Sequence, residues 1–331
     1  MTMHDPIPSP DKPSGTPSLI ERASEMYDFR KSLNQAGPDL PPAEEPDTDA
    51  AKAPAPGMAP PVPPAAAASA APMARPVAPV RPRSTSSLPV AVIDRDVLRE
   101  RAFIVPDGPV TSISEEFRIV KRRLLASIRA EANAGLGAAA QRILICSAQP
   151  NEGKTYSAIN LALSIATEQD HDVLLVDADF AKPSILSSLG IEGQRGLMDA
   201  LADPDVAVED CIIPTDIRGL SVLPAGRQTN TDSEYLASVR TRDVLARLTD
   251  GRPGRIVIFD SPPLLAASPA ATLAQHVGHA LMVVRADVTS ERALRDALGL
   301  IAGCNQIQLL LNGTRFSPSG RSFGSYYGYG E

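Results

Sequence analysis

The chain has 331 residues, enough for one large domain or two ordinary ones. Its net charge of −7 argues against a dedicated nucleic-acid binder, which carries a basic surface. Cys146, Cys211 and Cys304 lie far apart and form no C-x-x-C pair, so zinc and dithiol motifs are unsupported and reduced structural thiols of a cytoplasmic protein fit better.

Residues 1–17, rich in Pro and Ser, contain no apolar core of a signal peptide and are expected to be disordered. The stretch SLIERASEMYDFRKSLNQA, residues 18–36, has capping-box spacing at Ser18 and Glu21. Leu19, Ala23, Met26, Tyr27 and Leu33 recur at helical spacing, which predicts a short amphipathic helix. Residues 37–88 are almost wholly Pro, Ala, Ser and acidic residues. Such a stretch buries too little apolar area to offset its ordering entropy and is expected to be a disordered linker. More than half of the 32 prolines precede residue 89. No stretch approaches the ~20 apolar residues of a membrane span. The expectation is a soluble protein that reaches a membrane only through a partner.

From residue 89 the composition becomes globular, and 89–316 are expected to form one domain. SISEEFRIVKRRLLASIRAEA predicts a helix capped by Ser112 and Glu115, with Ile113, Phe117, Val120, Leu124 and Ile128 along one face. The apolar run RILICS then precedes a glycine–lysine turn and the helix NLALSIATEQ. DVLLVDAD predicts the next strand, followed by a helix near Leu197–Leu201 and the strand LSVLPA. SEYLASVRTRDVLARLTD predicts one helix and RIVIFD a strand. ATLAQHV, HALMVVRAD, SERALRDALGLIAG and QIQLLLNG complete the alternation. Buried strands alternating with helices predict a doubly wound, mainly parallel α/β sheet. Residues 317–331 end in SYYGYGE, a Gly/Tyr-rich tail holding three of the six tyrosines and expected to be flexible.

Three motifs carry chemistry. In SAQPNEGKT, Ala148-x-x-x-x-Gly153-Lys154-Thr155 follows a strand and opens a helix, the context of a phosphate-binding loop. Backbone N–H groups of Asn151, Glu152, Gly153, Lys154, Thr155 and Tyr156 are placed to cradle phosphates, Lys154 to bridge them, and the Thr155 hydroxyl to ligate Mg²⁺. RIVIFDSPP places Asp260 at a strand end, where such folds hold the metal. LLVDADFAKP places Asp177 and Asp179 two apart; in an extended segment both would face the terminal phosphate, one as a base and one supporting the metal. The fold expected from these motifs is a P-loop NTPase of the deviant-Walker kind.

Taken in order, AQPNEGKT, VLLVDADFAKPS, IVIFDSPPLL and QLLLNG, with a terminal tyrosine cluster, resemble the bacterial tyrosine kinases of capsule and exopolysaccharide export, most closely the exosortase-associated autokinases, whose early S-L-I-E-R-A helix and Pro-rich spacer are also similar. The resemblance implies ATP and Mg²⁺ as cofactors. It implies Asp177 as the base for a tyrosine hydroxyl and, with Thr155 and Asp260, as a metal ligand, Asp179 helping to arrange that metal, and Asn312 as an adenine contact. Tyr326, Tyr327 and Tyr329 would be phosphorylated in trans. Glu115, Arg118 and Lys121 match a helix motif, E-x-x-R-x-x-R, that packs subunits into a ring. A membrane-embedded chain-length regulator would be the activator and a tyrosine phosphatase the antagonist, at the inner membrane periphery.

Two departures from that family are visible. Lys121 replaces the last arginine and loses its bidentate fork. Ala181, followed by Lys182, stands where many relatives carry arginine after the D-x-D. Two alternatives stay open: an ATPase switch of the division-site and partition type, or a nucleotide-binding scaffold. The first usually carries an additional lysine where this chain has Gln149.

Overall fold

The computed structural model describes residues 89–133, 137–229 and 231–314. The segments 1–17, 18–36, 37–88 and 317–331, including Tyr326, Tyr327 and Tyr329, lie outside the described residues.

The domain begins with α1 (Arg95–Glu100) and α2 (Ser112–Asn133), followed by β1 (Arg142–Ser147), α3 (Lys154–Ala166) and β2 (Asp172–Asp177). Short helices α4 (Ile185–Leu189) and α5 (Leu197–Ala202) lead to β3 (Ile213–Pro214) and β4 (Leu220–Leu223). Then come α6 (Asp232–Leu236), α7 (Val239–Arg247), β5 (Arg255–Asp260), α8 (Pro269–Ala274), β6 (His279–Arg285), α9 (Glu291–Leu300) and β7 (Gln306–Asn312). The seven strands lie in the order β3-β4-β2-β5-β1-β6-β7. All neighbours are parallel except the β3–β4 edge pair.

Every residue of β1 and β5 is buried, because helices cover both faces. Leu144 and Cys146 face a core with Leu197, Leu245, Leu273 and Ala297, while Ile143 and Ile145 face another with Leu98, Leu124, Ile159 and Ile185. That two-sided packing is the predicted doubly wound sheet. The chain leaves β1 towards β2 on one side and returns after β5 to place β6 on the other. Strand order therefore reverses at β1, and a ligand crevice is expected at its carboxyl end. All three cysteines are free and buried. Among the described residues no helix is long and apolar enough to cross a membrane.

Local expectations needed three corrections. The cap of α2 lies one residue early: the Ser114 N–H donates to Thr111 Oγ1 at 3.2 Å, and the Ser114 hydroxyl donates to the Thr111 carbonyl at 2.7 Å. Glu115 is released to pair with Arg118 on the same helix. The helix expected over 233–250 is two helices, because Ser238 is extended (ψ 156°) and starts α7 afresh. The elements α1, α4 and β3 are too short to leave a periodic signature.

The third correction concerns Lys121. Its side chain is only 5 % exposed and bonds within the chain. Its ammonium donates to the Ser164 carbonyl at 2.9 Å and pairs with Glu168 Oε1 at 2.6 Å. A cation at the carboxyl end of α3 satisfies carbonyls that the helix leaves unpaired and complements its dipole. Glu168 responds: hydrogen bonding to Lys121 lowers its pKa, against the opposing effect of desolvation. Lys121 thus fastens α2 to the helix that carries the phosphate loop. Its ammonium is not free to reach a neighbouring subunit, whereas Arg118 remains partly exposed. Lys121→Met is expected to cost about 2 kcal/mol, the scale of a buried charge-assisted hydrogen bond; a denaturant titration against wild type measures it, with Arg118→Ala expected within about 0.5 kcal/mol of wild type as the surface control.

Candidate active site

The register of the sheet assembles the site. Asp260 ends β5 between Ile145 of β1 and Asp177 of β2. The phosphate loop, 148–153, turns from β1 into α3 with Asn151 at φ 63° and Gly153 at φ 94°. Space favours glycine there as well: a Cβ would stand 2.1 Å from Asn312 Nδ2 and displace that amide. Among the described residues, the N–H groups of Asn151, Glu152 and Gly153 donate to no partner, so the loop presents unpaired donors at a helix amino end, an anion cradle in form.

Around it, the Thr155 hydroxyl donates to Asp260 Oδ2 at 2.6 Å, and Lys154 Nζ lies 3.3 Å from Asp179 Oδ2. Asp260 is fully buried, and its Oδ1 has no hydrogen-bond partner. Burial pushes its pKa up to about 7, with Lys154 and the Thr155 hydrogen bond opposing. A buried carboxylate with an orphaned oxygen, touching the loop threonine, fits a divalent cation. No group of three or more His, Cys, Asp or Glu forms a metal cage among the described residues. Mg²⁺ is a cation that takes one or two carboxylates and completes its shell with water and phosphate.

Asp177 and Asp179 do not point the same way. Strand β2 stops at Asp177, so the alternation assumed from the sequence does not extend to Asp179. Asp177 Oδ2 accepts from the N–H groups of Ser184 and Ile185 at 2.8 and 3.0 Å, and Oδ1 from the Asp179 N–H at 3.3 Å. It braces the 178–185 turn and the start of α4 from below. Burial raises its pKa to about 6 against those three bonds. Asp179 instead faces Lys154 and is 6 % exposed. The expectation that Asp177 is the free base and a metal ligand is therefore revised: its oxygens are committed to backbone, and Asp179 is the carboxylate opposite the loop lysine.

Two further expectations shift. The Tyr156 hydroxyl donates to the Ala102 carbonyl at 2.7 Å, and its ring stacks on Phe103 with centroids 5.5 Å apart. Its side chain anchors the segment before α2, leaving only its backbone for a ligand. Asn312 Nδ2 donates to the Glu152 carbonyl at 2.9 Å, so its amide supports the phosphate loop and leaves its side-chain oxygen for a base.

Arg285, Thr289 and Gln228 were not anticipated. Arg285 Nη1 donates to the Asn151 carbonyl at 3.0 Å, and the Thr289 hydroxyl bonds to Glu152 Oε1. Gln228 Nε2 donates to the Ala181 carbonyl at 2.9 Å. A polar cluster after an apolar strand, VVRADVTSE, was the only trace of the first two.

The chain is 28 % identical over 233 residues to tyrosine-protein kinase YwqD of Bacillus subtilis, covering 70 % of this chain and 91 % of that one. Over 214 residues it is 30 % identical to tyrosine-protein kinase etk of Escherichia coli, covering 64 % of this chain. The curated relatives that this chain resembles are bacterial tyrosine-protein kinases. The matched stretch is only 28 % of Etk, so the chain spans a small part of that longer relative. A solved chimerical protein, CapA2B2, shares the fold with TM-score 0.54 at 24 % identity, over 70 % of this chain and 96 % of that one. No family model matches the chain.

The Ala181 position, where the resemblance led to an expected arginine, lies in an exposed turn. Ala181 and Lys182 are exposed, and the Lys182 N–H donates to Asp179 Oδ1 at 3.1 Å. The turn shapes Asp179 through its backbone, while Lys182 forms no ion pair among the described residues.

The carboxylate pKa values set a pH dependence. The folded pKa of Asp260 lies near 7 against 3.8 for the free group, so the folded protein holds a proton that the unfolded chain has released. This contribution to stability is full below pH 4 and is lost as pH rises through 7; Asp177 adds to it, up to pH 6. In ligand-free protein, Asp260→Asn is expected to flatten the fall in urea midpoint between pH 5 and pH 8.

Proposed function

We propose that the chain is an ATP-dependent protein-tyrosine kinase that phosphorylates Tyr326, Tyr327 and Tyr329 on another copy of itself. The observation that carries this reading is the pairing of Lys154 with Asp179 beside the pairing of Thr155 with Asp260, at one end of the sheet. Each pair holds a group needed by a nucleotide against a group needed by the chemistry.

ATP would occupy the loop, with its phosphates on the free N–H groups and on Lys154. Mg²⁺ bound beside Thr155 and Asp260 would supply charge neutralisation for the phosphates. Once Lys154 turns to the phosphates, Asp179 is released. Its carboxylate is then the group that accepts the proton of an incoming tyrosine hydroxyl. Asp177 holds the turn that carries Asp179. In this reading Glu115 and Arg118 meet the neighbouring subunit that offers its tail, while Lys121 acts from inside.

Regulation of polysaccharide export is the process this reading serves. A membrane-embedded regulator of chain length is the proposed activator, a phosphatase the proposed antagonist, and the inner face of the membrane the proposed place.

Incubation of the full chain with Mg²⁺ and ATP, with and without the cytoplasmic segment of a candidate activator, is the test, read by mass spectrometry of the C-terminal peptide. Phosphate on the three tyrosines is expected in wild type. It should vanish in Lys154→Met and in the triple change of Tyr326, Tyr327 and Tyr329 to Phe. Asp179→Asn should slow transfer by about 100-fold or more, the scale of a lost general base. ATP hydrolysis with an unmodified tail in every condition would favour the ATPase-switch reading instead.

A further inference from the structure

We propose that Thr289 is a positioning residue that keeps the carboxylate of Glu152 off the nucleotide phosphates, with Arg285 setting the backbone beside it. The inference rests on the nucleotide-binding reading above and concerns residues outside the phosphate-loop motif.

Glu152 raises the question. A carboxylate in the middle of a phosphate loop repels the polyphosphate the loop exists to bind. Yet Glu152 is 2 % exposed, and both of its oxygens are occupied, one from within the loop and one from the turn between β6 and α9. Oε2 accepts from the Gln149 N–H at 2.9 Å. Oε1 accepts from the Thr289 hydroxyl in the turn after β6. That hydroxyl in turn accepts the Arg285 N–H at 2.9 Å. Its oxygen is fixed by the backbone donor, so its single proton is directed at the carboxylate. Thr289 is thus oriented to hold Glu152.

The backbone is held from the same place. Arg285 Nη1 bonds to the carbonyl of Asn151, a non-glycine residue at φ 63°, a conformation that side chains disfavour. Asn312 Nδ2 bonds to the carbonyl of Glu152. Arg285 and Asn312 face each other across β6 and β7. The ends of two strands outside the motif therefore grip two successive loop residues, and Thr289 is the side chain from outside the loop that holds the negative charge.

Removing the hydroxyl frees the carboxylate to swing towards the cradle. The direct test measures binding of a fluorescent ADP analogue with Mg²⁺ to the full chain. Thr289→Val is expected to weaken binding about tenfold and Thr289→Ser to bind as wild type does, a tenfold change being a modest coupling. Adding Glu152→Gln to Thr289→Val should restore binding to within about twofold, because the harmful charge is gone although the hydroxyl is still missing. A purely structural role for Thr289 predicts no such rescue. Unchanged affinity in Thr289→Val, or weakened affinity that Glu152→Gln leaves weak, overturns the proposal while the kinase reading stands. Wild-type protein that binds no nucleotide overturns both. Should Thr289→Val unfold, Thr289→Ala with and without Glu152→Gln gives the same comparison.

Discussion

The insertion of β5 between β1 and β2 is the constraint on which the site depends. It puts Asp260 at 0 % exposure directly between the strand that feeds the phosphate loop and the strand that ends in Asp177. Carboxylates crowded into low dielectric resist ionisation, and Asp260 and Asp177 both show it. Such a cluster is uncomfortable without a cation. The protein answers in part with Lys154 against Asp179 and the Thr155 hydroxyl against Asp260. The remaining unpaired oxygen of Asp260 leaves room for a metal-borne charge.

Division of labour among the acidic groups follows from where β2 stops. Had the strand continued to residue 179, the two aspartates would have been equivalent neighbours on one face. Because it ends at Asp177, the chain folds over that carboxylate and uses it to cap the turn. Asp179 is carried on the turn itself and meets the lysine. One carboxylate is committed to backbone donors and the other faces the loop lysine, although the motif D-x-D treats them alike.

The phosphate loop is likewise built from outside its own motif. Arg285 and Asn312 hold its carbonyls and Thr289 its carboxylate, all from the ends of β6 and β7 or the turn beyond. At the far end of α3, Lys121 of α2 closes the helix. The loop and its helix are thus clamped at both ends by elements distant in sequence. A change in α2 has a packed, hydrogen-bonded route to the helix that begins at the phosphates.

Much was legible in the residues. The alternation of apolar runs and amphipathic segments determined a doubly wound sheet, since strands buried on both faces permit little else. Local spacing determined the phosphate loop and the strand-end aspartate, because a cradle of N–H groups needs only contiguous residues. What the tertiary structure decided are the contacts that no local pattern encodes. The Thr289–Glu152 bond joins residues 137 apart, and Lys121 meets Ser164 across 43. Lys121 resembled a surface contact by motif, and only the packing of α2 on α3 made it an internal cap. The roles of Asp177 and Asp179 depended on one boundary, and a strand end is set by what packs beyond it. Sequence alone determined which chemical groups are present and in what order. Their partners, and hence which are free to react, were decided by the crossing of chain segments in space.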